Sequence, residues 1–284
     1  MNELLEPESN KISTKLKIFY ITIIAICVIA IIAAVILQIQ KDNQKDKEVK
    51  TSTISTDDTE KYKNEFNSIF QNKVNYLKDN GYKITKVDES KEIIYTGYEK
   101  KENKLNSYDL NVSIPYINIK NDAIEKYNQQ IISTFEKKAK SVLNTTDENV
   151  VFTVNYSAYV SNNILSLVIR ATLKEGADPQ RDMIQTYNFD LINQKEYTID
   201  DILEKKGLSK REANEKIKEE ITKVQEKVEE LSGLGYSVYT RDLDNDIYNI
   251  SNVTEYFIGE DNALYVIFAY GNQNKTSEMD IVIM

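Results

Sequence analysis

Apolar residues recur along the chain in three rhythms, each pointing to a different element. Residues 18–37, IFYITIIAICVIAIIAAVIL, form an unbroken apolar run of twenty residues without a charge. At roughly 1.5 Å per residue such a run covers about 30 Å, the thickness of a bilayer's hydrocarbon core, and it predicts a transmembrane helix over residues 18–39. A cleaved signal peptide would have a shorter apolar region and a small-x-small cleavage site, and neither is clear after Leu37. Residues 40–57 are polar, charged and almost free of apolar side chains, which predicts a flexible stalk.

Helical spacing begins after the stalk. Tyr62, Phe66, Ile69, Phe70, Val74 and Leu77 predict an amphipathic helix from Thr59 to Asn80, stopped by Gly81. Ile124, Tyr127, Ile131, Phe135, Ala139 and Val142 predict a second, from Asp122 to Leu143 behind an Asn121 cap. Thr198-Ile-Asp-Asp201 opens a short helix ending at Gly207. The capping box Ser209-Lys-Arg-Glu212 opens a long one with the stripe Ala213, Ile217, Ile221, Val224, Val228 and Leu231.

Alternation with period two marks the strands. They are residues 93–99, then Tyr108 to Ile114 ended by Pro115, and a hairpin of residues 152–160 and 165–173 around Ser161-Asn-Asn163. A strand near Gln185 to Leu191 follows, and a closing meander of 256–258, 264–270 and 279–283. Hairpin-length links and the lack of alternating βαβ units predict an α+β region with antiparallel sheets and packed helices. Its expected subdomains are residues 58–180 and 181–284.

Composition narrows the chemistry. The 284 residues contain no His and a single Cys, so Ser-His-Asp and Cys-His catalysis and His-ligated zinc are excluded. Cys27 lies within the apolar run, preceded by Ile26 rather than the small residue that lipid-modifying enzymes favour, and reads as a small apolar side chain in the membrane. The formal net charge is -9. Residues 1–17 balance Glu3, Glu6 and Glu8 against Lys11, Lys15 and Lys17, so the acidity belongs to the region after the membrane. Nucleic acid is not an expected partner, since phosphate binding needs a basic footprint and Arg170, Arg181, Arg211 and Arg241 are the only arginines.

Lysines flank the apolar run on both sides, and this near balance leaves both orientations open. A first uncleaved apolar segment behind a short tail commonly keeps its amino end inside. The expected layout is therefore a cytoplasmic tail (1–17) and an extracellular carboxyl-terminal region.

Asp242, Asp244 and Asp246 have the spacing of a calcium loop, but Ile247 stands where the loop needs Gly and Val253 where it needs a bidentate Glu. An acidic surface turn is the expected reading, with no metal and no cofactor. Phosphate-loop and Ser-x-x-Lys signatures are absent from the region after the membrane. The polar loop between the last two strands is the candidate for recognition, with Tyr270, Asn272, Thr276, Glu278 and Asp280 as candidate ligand-binding residues.

The series Ser113-Ile-Pro-Tyr-Ile-Asn-Ile119, the helix with Ile124, Tyr127 and Asn128, and Asn163-Ile-Leu-Ser-Leu-Val168 resembles the first of two external domains in the PdaC-like family. Gly176-Ala-Asp-Pro179, Thr186-Tyr-Asn-Phe-Asp-Leu191, Tyr197-Thr-Ile-Asp-Asp-Ile-Leu203 and the stretch Phe257 to Tyr270 resemble its companion domain, which is RsiV-like. The resemblance covers about residues 90 to 284. It implies a Gram-positive envelope protein related to a lysozyme-sensing anti-sigma factor and to the non-catalytic part of a peptidoglycan deacetylase. Seventeen tail residues cannot fold into a sigma-binding region, and the metal-binding His of a deacetylase are missing. The expected function is membrane-anchored binding or sensing of a cationic protein such as lysozyme, or of a peptidoglycan component. The alternative is a carboxylate-dependent envelope hydrolase.

Overall fold

The computed structural model describes residues 56–78, 81–146 and 149–284. The expected tail, the transmembrane helix and residues 40–55 of the stalk lie outside the described residues, among which no helix is long and apolar enough to cross a membrane. The described residues form one compact α+β unit.

Helix α1 (Thr56–Glu65) gives way to a single 3-10 turn, Phe66–Ser68, and then to strand β1 (Lys73–Lys78). The helix expected through Asn80 therefore ends about four turns early. Asn72 breaks it with φ 55°. Its backbone N–H donates to Tyr156 O at 2.8 Å and its side-chain oxygen accepts from Tyr156 N at 2.9 Å. These tertiary bonds outweigh the helical spacing, and β1 packs Val74 on the core while Tyr76 and Leu77 stay exposed.

Strands β2 (Ile94–Lys104) and β3 (Tyr108–Ile117) form an antiparallel pair. A bulge at Gly97 lets β3 continue through Pro115. Helix α2 (Asp122–Leu143) crosses to β4 (Val150–Ser161), which hairpins into β5 (Ile164–Lys174) and then β6 (Arg181–Asp190) and β7 (Lys195–Glu196). The order is β2-β3-β4-β5-β6-β7, with β1 beside the far half of β4. The all-antiparallel expectation is corrected here. Both β3 and β1 run parallel to β4, because the 22-residue α2 is long enough to return the chain to the same end of the sheet. The division expected at residue 180 falls between β5 and β6, and these strands pair from Ile164↔Asp190 to Leu173↔Arg181.

Helices α3 (Ile199–Lys206) and α4 (Lys210–Gly233) both open on capping boxes, Thr198 with Asp201 and Ser209 with Glu212. Gly207 stops α3 at φ 66°. Strands β8 (Glu255–Ile258), β9 (Leu264–Ala269) and β10 (Met279–Ile283) make a separate antiparallel sheet in the order β10-β9-β8.

The layers are α2, large sheet, small sheet, α3 with α4. Ile124, Ile131 and Phe135 of α2 pack with Leu110, Tyr156 and Leu167 on one face of the large sheet. The opposite face, with Tyr159, Val168 and Ile184, meets Phe257, Tyr265 and Ile267 of the small sheet and Tyr62 and Phe66 at the α1 end. Leu264, Val266 and Phe268 point the other way, onto Ile202, Ala213, Ile217 and Ile221. Burial on both faces explains why β9 reads as a continuous apolar run. Each such side chain contributes about 1.5–3 kcal/mol.

Candidate functional site

The polar loop nominated by its pattern folds inward. Arg241, on the segment after α4, donates from Nε to Asp280 Oδ2 at 3.0 Å and from Nη2 to Asp280 Oδ1 at 2.9 Å. Its Nη1 reaches Glu278 Oε2 at 2.8 Å, and Tyr239 N donates to Glu278 Oε1 at 2.7 Å. Tyr270 donates to Asp280 and stacks on Tyr239 with ring centroids 4.3 Å apart. Its hydroxyl also lies 2.8 Å from that of Tyr248.

Burial works against the charge of Arg241, but the bonds and charge of Asp280, then Glu278, hold its guanidinium above the ordinary arginine range. Burial and the charge of Asp280 raise the Tyr270 phenol far above its usual value. Burial pushes Tyr248 up to about 12.

Asn272 and Thr276 turn the other way, to β6. Asn272 pairs with the Ile184 backbone through both side-chain atoms, at 3.0 and 3.1 Å. Thr276 O accepts from Asp182 N at 3.1 Å, and its hydroxyl accepts from Glu278 N at 3.1 Å. Thus Tyr270, Glu278 and Asp280 converge on Arg241, whereas Asn272 and Thr276 tie the loop down. Tyr270, a candidate ligand-binding residue, is 5% exposed, because β9 carries it into the core beneath α4. Asp242 caps its own turn, accepting from Asp244 N at 3.2 Å. Among the described residues, no group of three or more His, Cys, Asp or Glu is placed to hold a metal ion.

Unspent polar groups lie instead around Glu255, the first residue of β8. Asn188 and Thr186 of β6 hold this strand end. Asn188 Nδ2 donates to Tyr256 O at 2.8 Å, and Thr186 Oγ1 accepts from Tyr256 N at 3.0 Å and sits 3.3 Å from Glu255 Oε2.

Two cavities share Glu255. One, about 450 Å³, is a cleft lined by Lys126, Tyr127 and Gln130 of α2, Gln185 and Tyr187 of β6, and Glu196 of β7. The other, about 150 Å³, is lined by Tyr239, Phe268, Tyr270 and Asn272. Tyr127 and Tyr187 stack with centroids 4.1 Å apart. Tyr127 Oη and Gln185 Oε1 are shielded from solvent and have no hydrogen-bond partner.

Burial pushes the Glu255 carboxyl up to about 7, against the lowering effect of bonds from Thr186 and Thr254. Burial, then the charge of Glu255, raises Tyr127. Such a carboxyl is half ionised at neutral pH and can accept from a ligand donor or exchange a proton with it.

The residue pattern did not single out Glu255. It opens an ordinary strand, and its desolvation is created by α2 and β6, distant in sequence. The partial signal was Tyr127 on the α2 stripe, a hydroxyl-bearing side chain among positions otherwise filled by wholly apolar residues.

No protein-family model matches the chain, and a search of curated proteins finds no match.

Proposed function

We propose that this chain is a single-pass membrane protein of the bacterial envelope whose extracytoplasmic region binds a ligand. Residues 18–39 span the membrane, residues 1–17 remain cytoplasmic, and residues 40–57 tether the external segments 58–180 and 181–284. The ligand is a cationic protein such as lysozyme, or a peptidoglycan component.

The Glu255 cleft carries this reading. It brings two stacked tyrosines, an unpartnered amide oxygen, an unpartnered phenol and a partly ionised carboxyl into one cavity of about 450 Å³, within the usual size range of ligand sites. The acidic charge and the PdaC-like and RsiV-like resemblance support the envelope setting.

The compact unit, residues 54–284, passed over immobilised lysozyme and over purified wall sacculi, is expected to be retained on one of them. Flow-through from both ends the reading.

Glu255 also favours the second reading, a carboxylate-dependent envelope hydrolase, because a carboxyl poised near 7 suits general acid catalysis and Glu196 lines the same cleft. Release of soluble fragments from sacculi by the wild type, lost in Glu255→Gln, would select it.

A further inference from the structure

The wall of the Glu255 cleft is rich in acceptors and poor in groups that satisfy them. Gln185 Oε1 and Tyr127 Oη make no hydrogen bond, although a buried polar group left unpaired costs about 1–3 kcal/mol. Glu255 accepts from the Thr186 backbone N–H and from the hydroxyls of Thr186 and Thr254. A carboxylate and an amide oxygen, beside a phenol that can also accept, call for a ligand rich in hydrogen-bond donors. Glu196 and Glu255 outnumber Lys126 among the charged lining residues, so the site favours a cation. The paired rings of Tyr127 and Tyr187 add aromatic surface of the kind that attracts one. Among charged groups an anion would meet Lys126 alone, and an apolar group would leave Gln185 Oε1 and Tyr127 Oη unpaired.

Resting on the envelope-binding reading, we propose that the cleft between α2, β6, β7 and β8 receives a protonated basic side chain, an ammonium or guanidinium presented by a cationic protein, whose N–H groups donate to Glu255, Gln185 and Tyr127.

Binding is then coupled to a proton. The groups facing Glu255 are Lys126 and Tyr127 on α2, Thr186 and Tyr187 on β6, Glu196 on β7, and Tyr239 and Tyr270 from the smaller cavity. Lys126 is the one fixed cation among these lining residues. An arriving cation favours the ionised carboxyl, so a protonated Glu255 releases its proton on binding. With its titration near 7, apparent affinity rises about tenfold between pH 6 and pH 8.

The test is calorimetric titration of the full chain in detergent micelles with n-butylammonium and n-butylguanidinium, beside a chitobiose arm as neutral saccharide. Saturable binding of a cation with that pH dependence is expected. In Glu255→Gln the affinity falls at least tenfold at pH 8 and its pH dependence disappears.

Tyr127→Phe separates binding from folding. It removes an unpaired hydroxyl, so it should leave thermal stability equal or higher while weakening cation binding. Absence of saturable cation binding, binding of chitobiose alone, or equal cation affinity in Glu255→Gln overturns the proposal. Retention of both wild type and Glu255→Gln on lysozyme would overturn the cleft assignment while the envelope reading stands. Cation binding without retention on lysozyme or sacculi would do the reverse.

Discussion

Replacing Arg241 by Met tests whether the loop residues nominated by the sequence serve the fold. Met keeps much of the aliphatic stem but removes the guanidinium between Asp280 and Glu278. The Arg241 and Asp280 side chains are 4% and 5% exposed, so the Asp280 charge would be left in the interior with Tyr270 as its remaining named partner. Two bonds to a charged group are lost, at 3.0 and 2.9 Å, each worth about 1.5–3 kcal/mol. Breaking a buried pair from one side typically costs about 3–5 kcal/mol. Against a total stability of about 5–15 kcal/mol, that is a large fraction.

Asp280→Asn should cost a comparable amount, and the double variant less than the sum, because the two positions share one interaction. Glu278→Gln, at a site 32% exposed, should cost about 1 kcal/mol or less. The chain has no Trp, so urea unfolding is followed by far-UV circular dichroism on residues 54–284. A loss below about 1 kcal/mol for Arg241→Met would refute the reasoning. An Asp280→Asn variant with wild-type stability but no ligand retention would return Asp280 to the role of a contact residue.

Glu255 binds its proton more tightly folded than unfolded, since burial raises it from 4.5 to about 7. Its contribution to stability is therefore complete below pH 4.5 and lost as pH rises through about 7; Glu255→Gln should unfold at higher urea than wild type at pH 8, and a reversed order would contradict the buried placement. Asn128 pairs with both backbone groups of Ile117, at 2.9 and 2.8 Å. Asn128→Ala leaves both unpaired and should cost about 2–4 kcal/mol by thermal or urea unfolding. A Cβ on Gly271 would lie 1.9 Å from Asp182 O and 2.5 Å from Thr276 O. Gly271→Ala should lower stability by about 3 kcal/mol and raise amide exchange at Asp182, whose N–H donates to Thr276 O.

Where local chemistry decides an element, the sequence was sufficient. Asn121, Thr198 and Ser209 start their helices because the side chain next to the first turn satisfies its free N–H groups. The pair Asn162-Asn163 turns the β4–β5 hairpin because both residues adopt positive φ, at 52° and 65°. Alternation placed the closing meander, although it could not say that β9 would be covered on both faces.

Long-range placement was outside its reach. The stretch from Phe66 to Leu77 carries helical spacing, yet Asn72 meeting Tyr156 selects the strand. The parallel pairing of β3 with β4 depends on where α2 sets the chain down. Sequence can count acidic residues but cannot say which are desolvated. Asp280 is neutralised by Arg241 from a segment some forty residues earlier, and Glu255 is left partly ionised because burial outweighs its bonds from Thr186 and Thr254. That difference in solvation and partners, which only the tertiary structure creates, makes one carboxylate a brace and the other a candidate ligand site.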